Sequence, residues 1–240
     1  MKPSPRRPQP KGSDWPRPLV TVDVVIFTVR EASLQVLLVR RPGGPDEPCP
    51  GSWALPGGFV DVDADADLAA CARRKLEAKT GVASPYLEQL GSWGSARRDP
   101  RGWSVTNVYF ALIPANGVQL REEAAWFPVQ GDRVEPALAF DHAELLAAAV
   151  ARLRGKVEYT SLPAYLLEAE FTLTELQRMY EIVLERPLEK SAFRTRVLAA
   201  GLVEPVPRRR EGANRPAQLY RLARPDEPVY FPRTFSPRRD

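Results

Sequence analysis

The sequence predicts a mixed α/β (α+β) chain in two parts: a mixed β-sheet flanked by helices, followed by a small helical module closed by a hairpin. Three observations carry this. Strand-like runs rich in β-branched residues surround one helix between Leu19 and Ile113. Strand signals fade after a second helix, and the chain reads as mainly helical until about Ala200. At 240 residues the chain also exceeds the commonest size of one domain. The expected division is a basic, Pro-rich disordered arm at 1–17, a first domain at 18–155, a second at 156–223, and a Pro-rich tail at 224–240. The tail's aromatics, Tyr230, Phe231 and Phe235, leave room for docking on the body.

Composition excludes several classes. The 44% hydrophobic content is ordinary for a globular chain. No apolar run approaches the ~20 residues that span a bilayer, and the basic N-terminus lacks the apolar core of a secretory signal. Two cysteines, Cys49 and Cys71, are too few for a disulfide scaffold or a Cys-based zinc site. A single histidine, His142, makes His-based triad or metal chemistry improbable. The expectation is an intracellular, cytoplasmic protein without a metal or cofactor. Its net charge is only +4, so a nucleic-acid surface requires local clustering of arginine.

The elements follow in order. Val20 to Val29 alternates and is β-branched; a turn at Arg30–Ser33 and the run Leu34–Val39 complete a hairpin. Asp67 to Lys79 is helical, with Leu68, Ala72 and Leu76 four residues apart and Gly81 as its stop. Val105 to Ile113 is another strand, closed by Pro114. A helix over Asp141 to Arg154 carries a capping-box spacing, Asp141 with Glu144, and Gly155 ends it. His142 falls in its first turn, a helix-start or core position.

The most informative segment is Gly51-Ser-Trp-Ala-Leu-Pro-Gly-Gly-Phe-Val, followed by an acidic loop, Asp61 to Asp67, and the helix Cys71-Ala-Arg-Arg-Lys-Leu-Glu-Ala-Lys-Thr-Gly-Val. A Trp-x-Leu-Pro-Gly-Gly run before an Arg-containing helix ending in Thr-Gly resembles the Nudix family. That family's box runs Gly, five residues, Glu, seven residues, Arg-Glu, an aliphatic residue, any residue, Glu-Glu, any residue, Gly and an aliphatic residue. Gly58, Arg74, Leu76, Gly81 and Val82 match it. The glutamate after Arg falls on Lys75, the paired glutamates fall on Ala78 and Lys79, and the distance from Gly58 to Arg74 is two residues too long. In Nudix hydrolases those glutamates hold Mg²⁺ against a diphosphate. Here their oxygens are gone, and two lysines stand where a cation belongs. A like-charge contact at ~4 Å costs about 4 kcal/mol per unit charge at an effective dielectric of ~20. Glu77 occupies the box's variable position, on another side of the helix. Asp61, Asp63, Asp65 and Asp67 mimic a calcium loop but lack its central Gly and downstream Glu, so a solvated acidic turn is the expectation. The pocket is expected to persist and the hydrolysis to be lost.

Downstream, Arg98-Asp-Pro-Arg entering a strand resembles the branch of that family that handles ADP-ribose. Arg98 and Arg101 are the candidates to grip a diphosphate through bidentate bonds. Asp99 would orient them or contact a ribose hydroxyl. Trp53, Phe59 and Trp103 are candidate stacking surfaces for adenine. Asp99-Pro100-Arg101-Gly102 also has ordinary β-turn chemistry, and both readings can hold. Trp126-Phe-Pro-Val and Ala139-Phe-Asp-His fit the same branch.

In the second part, Thr172 with Glu175 is a capping box, and Leu173, Leu176, Tyr180, Val183 and Leu184 form one apolar stripe that Pro187 breaks. A shorter helix, about Glu189 to Ala200, buries Phe193, Val197 and Ala200. Its other face carries Ser191, Arg194, Thr195 and Arg196, with Lys190 at its start. The strand Leu202 to Val206, a basic loop with Arg208, Arg209, Arg210 and Arg215, and the strand Gln218 to Leu222 complete a hairpin. Two helices and a basic-tipped hairpin look like a winged helix-turn-helix, with the second helix in the major groove and the wing along phosphates. A Nudix-like domain with this module resembles the Nudix-related transcriptional regulators of NAD metabolism, the NrtR family, over roughly Pro18 to Ala223. The resemblance implies a dimeric repressor that binds a palindromic operator in double-stranded DNA and is released by ADP-ribose or a related nucleotide; some relatives sense other ligands, such as a sugar. Two rival readings stand beside it: a working Nudix hydrolase with an accessory module, which the lysines of the box oppose, and a nucleotide-binding adaptor that contacts only protein, which the Arg clusters oppose.

Overall fold

The computed structural model describes residues 16–81, 83, 86–120, 123–211 and 216–231. The chain opens with strands β1 (Leu19–Arg30), β2 (Ser33–Arg40), β3 (Trp53–Ala54) and β4 (Gly57–Phe59), then helix α1 (Leu68–Thr80). Strands β5 (Tyr86–Ser95), β6 (Ser104–Leu112) and β7 (Ala124–Pro128) lead to helix α2 (His142–Val157) and a 3₁₀ turn, η1 (Leu162–Leu166). Helices α3 (Leu173–Leu184) and α4 (Lys190–Ala199) and the hairpin β8 (Val203–Arg210) with β9 (Ala217–Leu222) complete it. The mixed sheet has the order β3-β2-β1-β6-β5, with β4 added to β1 and β7 to β2; β1 and β6 run parallel.

The strand predicted to alternate does not: Thr21 to Thr28 are all buried. The reason is that β1 lies mid-sheet with both faces covered. Val22, Val24 and Ile26 pack with Cys71, Ala72 and Leu76 of α1. Val25 and Phe27 join the larger core that includes Leu145, Ala149 and Leu153 of α2. The hairpin turn after β1 is tight, with Glu31 and Ala32 both at positive φ, 50° and 56°.

Helix α1 ends at Gly81 as its sequence signal predicts, and the structure adds a side-chain cap at its start. The Asp67 carboxylate accepts the Ala70 N–H at 2.6 Å, and Gly81 closes the helix in the left-handed conformation. Helix α2 corrects two expectations. It continues through Gly155 to Val157, because Leu153 and Val157 are fully buried and packing outweighs the ~1 kcal/mol cost of a helical glycine. Its capping box does not form: the Asp141 carboxylate binds Arg98, and Glu144 accepts from the Trp93 indole at 3.1 Å. In α3, by contrast, the Thr172–Glu175 box is complete. The chain's end docks as its aromatics suggested as far as Phe231, which is buried and donates its N–H to the Tyr159 carbonyl. Phe235, residues 1–15 of the predicted arm at 1–17, Val82 and Arg215 lie outside the described residues.

Candidate functional site

The Leu-Pro-Gly-Gly run places its backbone directly on β1. A Cβ on Gly57 would fall 1.8 Å from Asp23 Oδ1, and Gly58 has φ 138°, so the close approach requires glycine at both positions. The cleft above this contact, about 210 Å³, is lined by Asp23, Arg98, Asp99 and Arg101 together with Arg40, Arg41, Lys79, Glu123, Phe140 and His142.

A buried charge network forms its floor. Arg98 binds both oxygens of Asp141, at 2.9 and 3.0 Å, and lies 3.7 Å from Asp23. Its side chain is only 6% exposed. Asp23 in turn accepts from the Thr106 hydroxyl at 2.7 Å. His142 accepts the Leu55 N–H on Nδ1 at 2.9 Å, so its proton sits on Nε2, 3.9 Å from Asp23. Burial pushes the imidazole below its usual range, against the opposing pull of Asp23 and Asp141.

The rim is looser. Arg101 reaches both oxygens of Asp99, at 3.0 and 2.8 Å, and Asp99 also accepts the Arg101 N–H at 3.0 Å. Those bonds hold the Asp99 carboxyl below the usual carboxylate range. The guanidinium lies 4.9 Å over the Phe59 ring, itself 43% exposed. The predicted turn and the predicted cation are therefore the same object: Asp99 shapes the turn and aims Arg101.

The predicted stacking residues fare differently. Trp53 packs edge-on against Phe127 at 4.8 Å and carries Arg40 on its face, so the hairpin holds it rather than the cleft. Trp103 is exposed and lies over Gly94 of β5, away from the cleft lining. Phe59 contributes only the surface beneath Arg101. Among the cleft residues that sequence reasoning did not assign to the ligand are Asp23, Arg40, Arg41, Phe140 and His142. Arg40-Arg41 at the end of a predicted strand was a signal that could have been read.

On helix α1, Lys75, Ala78 and Lys79 are half-buried, while Glu77 is exposed. Lys75 donates to the Phe59 carbonyl at 3.0 Å, and burial lowers its pKa. Arg74 is bound by both oxygens of Asp65, at 2.7 and 2.6 Å. The acidic loop uses its carboxylates internally: Asp61 accepts the Asp63 and Ala64 N–H groups, and Asp65 accepts that of Asp61. Among the described residues, no group of three His, Cys, Asp or Glu side chains is placed to hold a metal. Mg²⁺ requires hard oxygen ligands, and Lys75, Ala78 and Lys79 supply none, so the residues present do not fit the ion that a Nudix box binds.

The second basic surface is built by α4 and the hairpin. Glu189 caps α4, accepting the N–H groups of Ser191 and Ala192. Lys190, Ser191 and Thr195 are exposed. Arg194 and Arg196 correct the expectation that both stand on the open face, since each is half-buried. Arg194 lies toward α3, 3.4 Å from the Thr174 hydroxyl, and Arg196 lies near enough to Tyr180 to oppose the burial-driven rise of its pKa. Arg208, Arg209 and Arg210 belong to strand β8 and not to the loop, and all three are exposed. Arg208 pairs with Glu170 and Arg210 with Glu175.

Comparison with known proteins matches both parts of the chain. Residues 18–154 match the NUDIX domain, and residues 163–222 match the NrtR DNA-binding winged helix domain. The chain is 50% identical to the ADPR-responsive transcriptional repressor NtrR of Acinetobacter baylyi, over 94% of this chain and 90% of that one. It superposes on Shewanella oneidensis NrtR complexed with a 27mer DNA at a TM-score of 0.82 and 40% identity, covering 90% of this chain and 98% of that one. The NUDIX domain of the same Shewanella protein, complexed with ADP ribose, matches at 42% identity and a TM-score of 0.53, covering 60% of this chain and 93% of that one. This chain belongs to the NrtR family: a NUDIX domain joined to an NrtR DNA-binding winged helix domain.

Proposed function

We propose that this protein is a transcriptional repressor that leaves its operator when its cleft takes up ADP-ribose or a closely related nucleotide, and that its NUDIX domain does not hydrolyse that ligand. The observation that carries this reading is the joining, in one chain, of a box with lysines at its metal-ligand positions and an NrtR DNA-binding winged helix domain. The half-identical Acinetobacter repressor, matched over nearly the whole chain, supports it. The protein acts as a cytoplasmic homodimer without a cofactor. Its operator is a palindrome whose half-sites lie one or two helical turns apart, ~10.5 or ~21 base pairs. Lys190, Ser191 and Thr195 approach base edges, Arg194 and Arg196 flank them, and Arg208 to Arg210, with Arg215, follow phosphates.

A nucleotide diphosphate competes with Asp141 and Asp99 for Arg98 and Arg101. Asp141 adjoins the first residue of α2, whose far end touches the winged helix: Arg154 binds Glu185 at 2.6 Å and the Val183 carbonyl at 3.1 Å. One helix thus joins the cleft to the foot of α3, which gives ligand binding a route to the DNA surface. Two experiments test the reading. Purified protein incubated with ADP-ribose and Mg²⁺ or Mn²⁺ yields no AMP by HPLC; turnover above ~0.1 s⁻¹, against a typical ~10 s⁻¹ for enzymes, restores the hydrolase. A pull-down of genomic fragments recovers a small set of sequences, and ADP-ribose empties it; an unselective or ligand-indifferent set contradicts the proposal.

A further inference from the structure

The lysines of the box do more than exclude a metal. Lys75 and Lys79 are four residues apart and share the face of α1 that looks toward the Gly57-Gly58 turn. Lys75 Nζ lies 3.2 Å from where a Cβ on Gly58 would stand, and it donates to the Phe59 carbonyl, which leaves two of its three protons uncommitted among the described residues. Lys79 lines the cleft beside Gly57 and Gly58, with Arg98 and Arg101 also on its wall. Three carboxylates around this point are engaged with other groups: Asp65 holds Arg74, Asp99 holds Arg101, and Asp23 accepts from Thr106, while Glu123 on the cleft wall is exposed. Two ammonium groups carry the formal charge of one divalent cation, beside the backbone of the Gly57-Gly58 turn.

We propose that Lys75 and Lys79 stand in for the divalent cation, so that the diphosphate of the ligand is held between α1 and the Arg98–Arg101 wall without any metal. This rests on the reading of the cleft as a nucleotide-diphosphate site, and it adds how that site is neutralised. A flexible ammonium neutralises a phosphate as a point charge, but it cannot present a polarised water to phosphorus as a metal does, so binding is retained where hydrolysis is not.

The test is calorimetric titration of the full chain with ADP-ribose, and separately with inorganic diphosphate, in EDTA and in excess Mg²⁺. The wild type binds equally in both buffers, within about twofold. Lys79→Gln weakens binding by at least about tenfold in EDTA, the scale of one charge-assisted bond. The double variant Lys75→Glu/Lys79→Glu loses binding in EDTA and regains it with Mg²⁺, as a restored ligand set requires. Thermal melts confirm that each variant is folded, and Lys79→Gln, at a half-exposed position, keeps the test decisive if the double variant is not. Wild-type binding that needs Mg²⁺, or Lys79→Gln binding like wild type, overturns the inference and leaves the nucleotide site standing. Failure of ADP-ribose and diphosphate to bind in either buffer overturns both.

Discussion

Arg98 in the cleft and Arg208 in the wing each hold a carboxylate, yet the first side chain is 6% exposed and the second 73%. In sequence the two are alike, each within a short Arg-rich run. In the structure they do different work. Arg98 is locked between Asp141 and Asp23, where removing one charge strands the others in a poorly solvated site. The Arg208–Glu170 and Arg210–Glu175 pairs are open to water, where such pairs contribute about 0–1 kcal/mol and give way readily to a better anion. Arg98 is held by largely buried partners. The wing is loosely held and available to any phosphate.

The largest expected effect is therefore on stability. Arg98→Ala should cost about 3–5 kcal/mol in urea unfolding, since Asp141 and Asp23 lose their shared cation. A loss below ~1 kcal/mol would mean that the network is as solvent-screened as the wing. Arg101→Ala comes next and should act on the ligand instead: its side chain is 36% exposed, so the fold tolerates its loss. ADP-ribose affinity should fall by about 1.5–3 kcal/mol, the contribution of a hydrogen bond to a charged group. Calorimetry that gives an unchanged dissociation constant removes Arg101 from the ligand's contacts.

Replacing Arg208, Arg209 and Arg210 with Ala should weaken specific and scrambled duplexes alike. Each lost phosphate contact flattens the slope of log affinity against log salt by about one unit. A change in sequence preference without a change in slope would move these side chains to base edges. The smallest effect concerns pH. The His142 pKa lies below that of an unfolded histidine, so protonation favours the unfolded chain. Stability is complete above about pH 6.5, the ordinary histidine value, and falls as pH drops below it. As the chain has one histidine, this decline stands apart from the carboxylate transitions at lower pH. It should flatten in His142→Gln, followed by urea midpoints across that window; an unchanged decline in the variant contradicts the assignment.

What the sequence disclosed, and what it hid, follows contact distance along the chain. The Thr172–Glu175 capping box, the Gly81 helix stop and the Gly-rich loop are local, and each was legible. The cleft's floor was not, because it joins residues far apart: Asp23 meets Thr106, Arg98 meets Asp141, and the Leu55 amide meets His142. No periodicity encodes such a meeting. Local signals also lost where tertiary contacts outbid them. Asp141 had the spacing of a helix cap but answers to Arg98, and Gly155 had the form of a helix stop but lies between buried Leu153 and Val157. Trp53, in the Gly-rich loop, and Trp103, after the Asp99–Gly102 turn, show the same limit, since an aromatic beside such a segment signals contact but not which surface receives it.

The most direct test of the central claim uses one complex and one ligand. A fluorescent palindromic duplex recovered by the genomic pull-down, saturated with the protein at fixed salt, is titrated with ADP-ribose in EDTA while anisotropy is recorded. The account predicts a saturable fall to the value of free duplex, displaced to higher ligand concentration by Arg101→Ala. Arg208→Ala should leave the ADP-ribose affinity of the free protein unchanged by calorimetry and move the release midpoint to lower ligand concentration, because a weaker DNA complex needs less ligand to dissociate. Anisotropy that stays constant while calorimetry shows the cleft filled would contradict it, because the two basic surfaces would then share a chain without sharing a function.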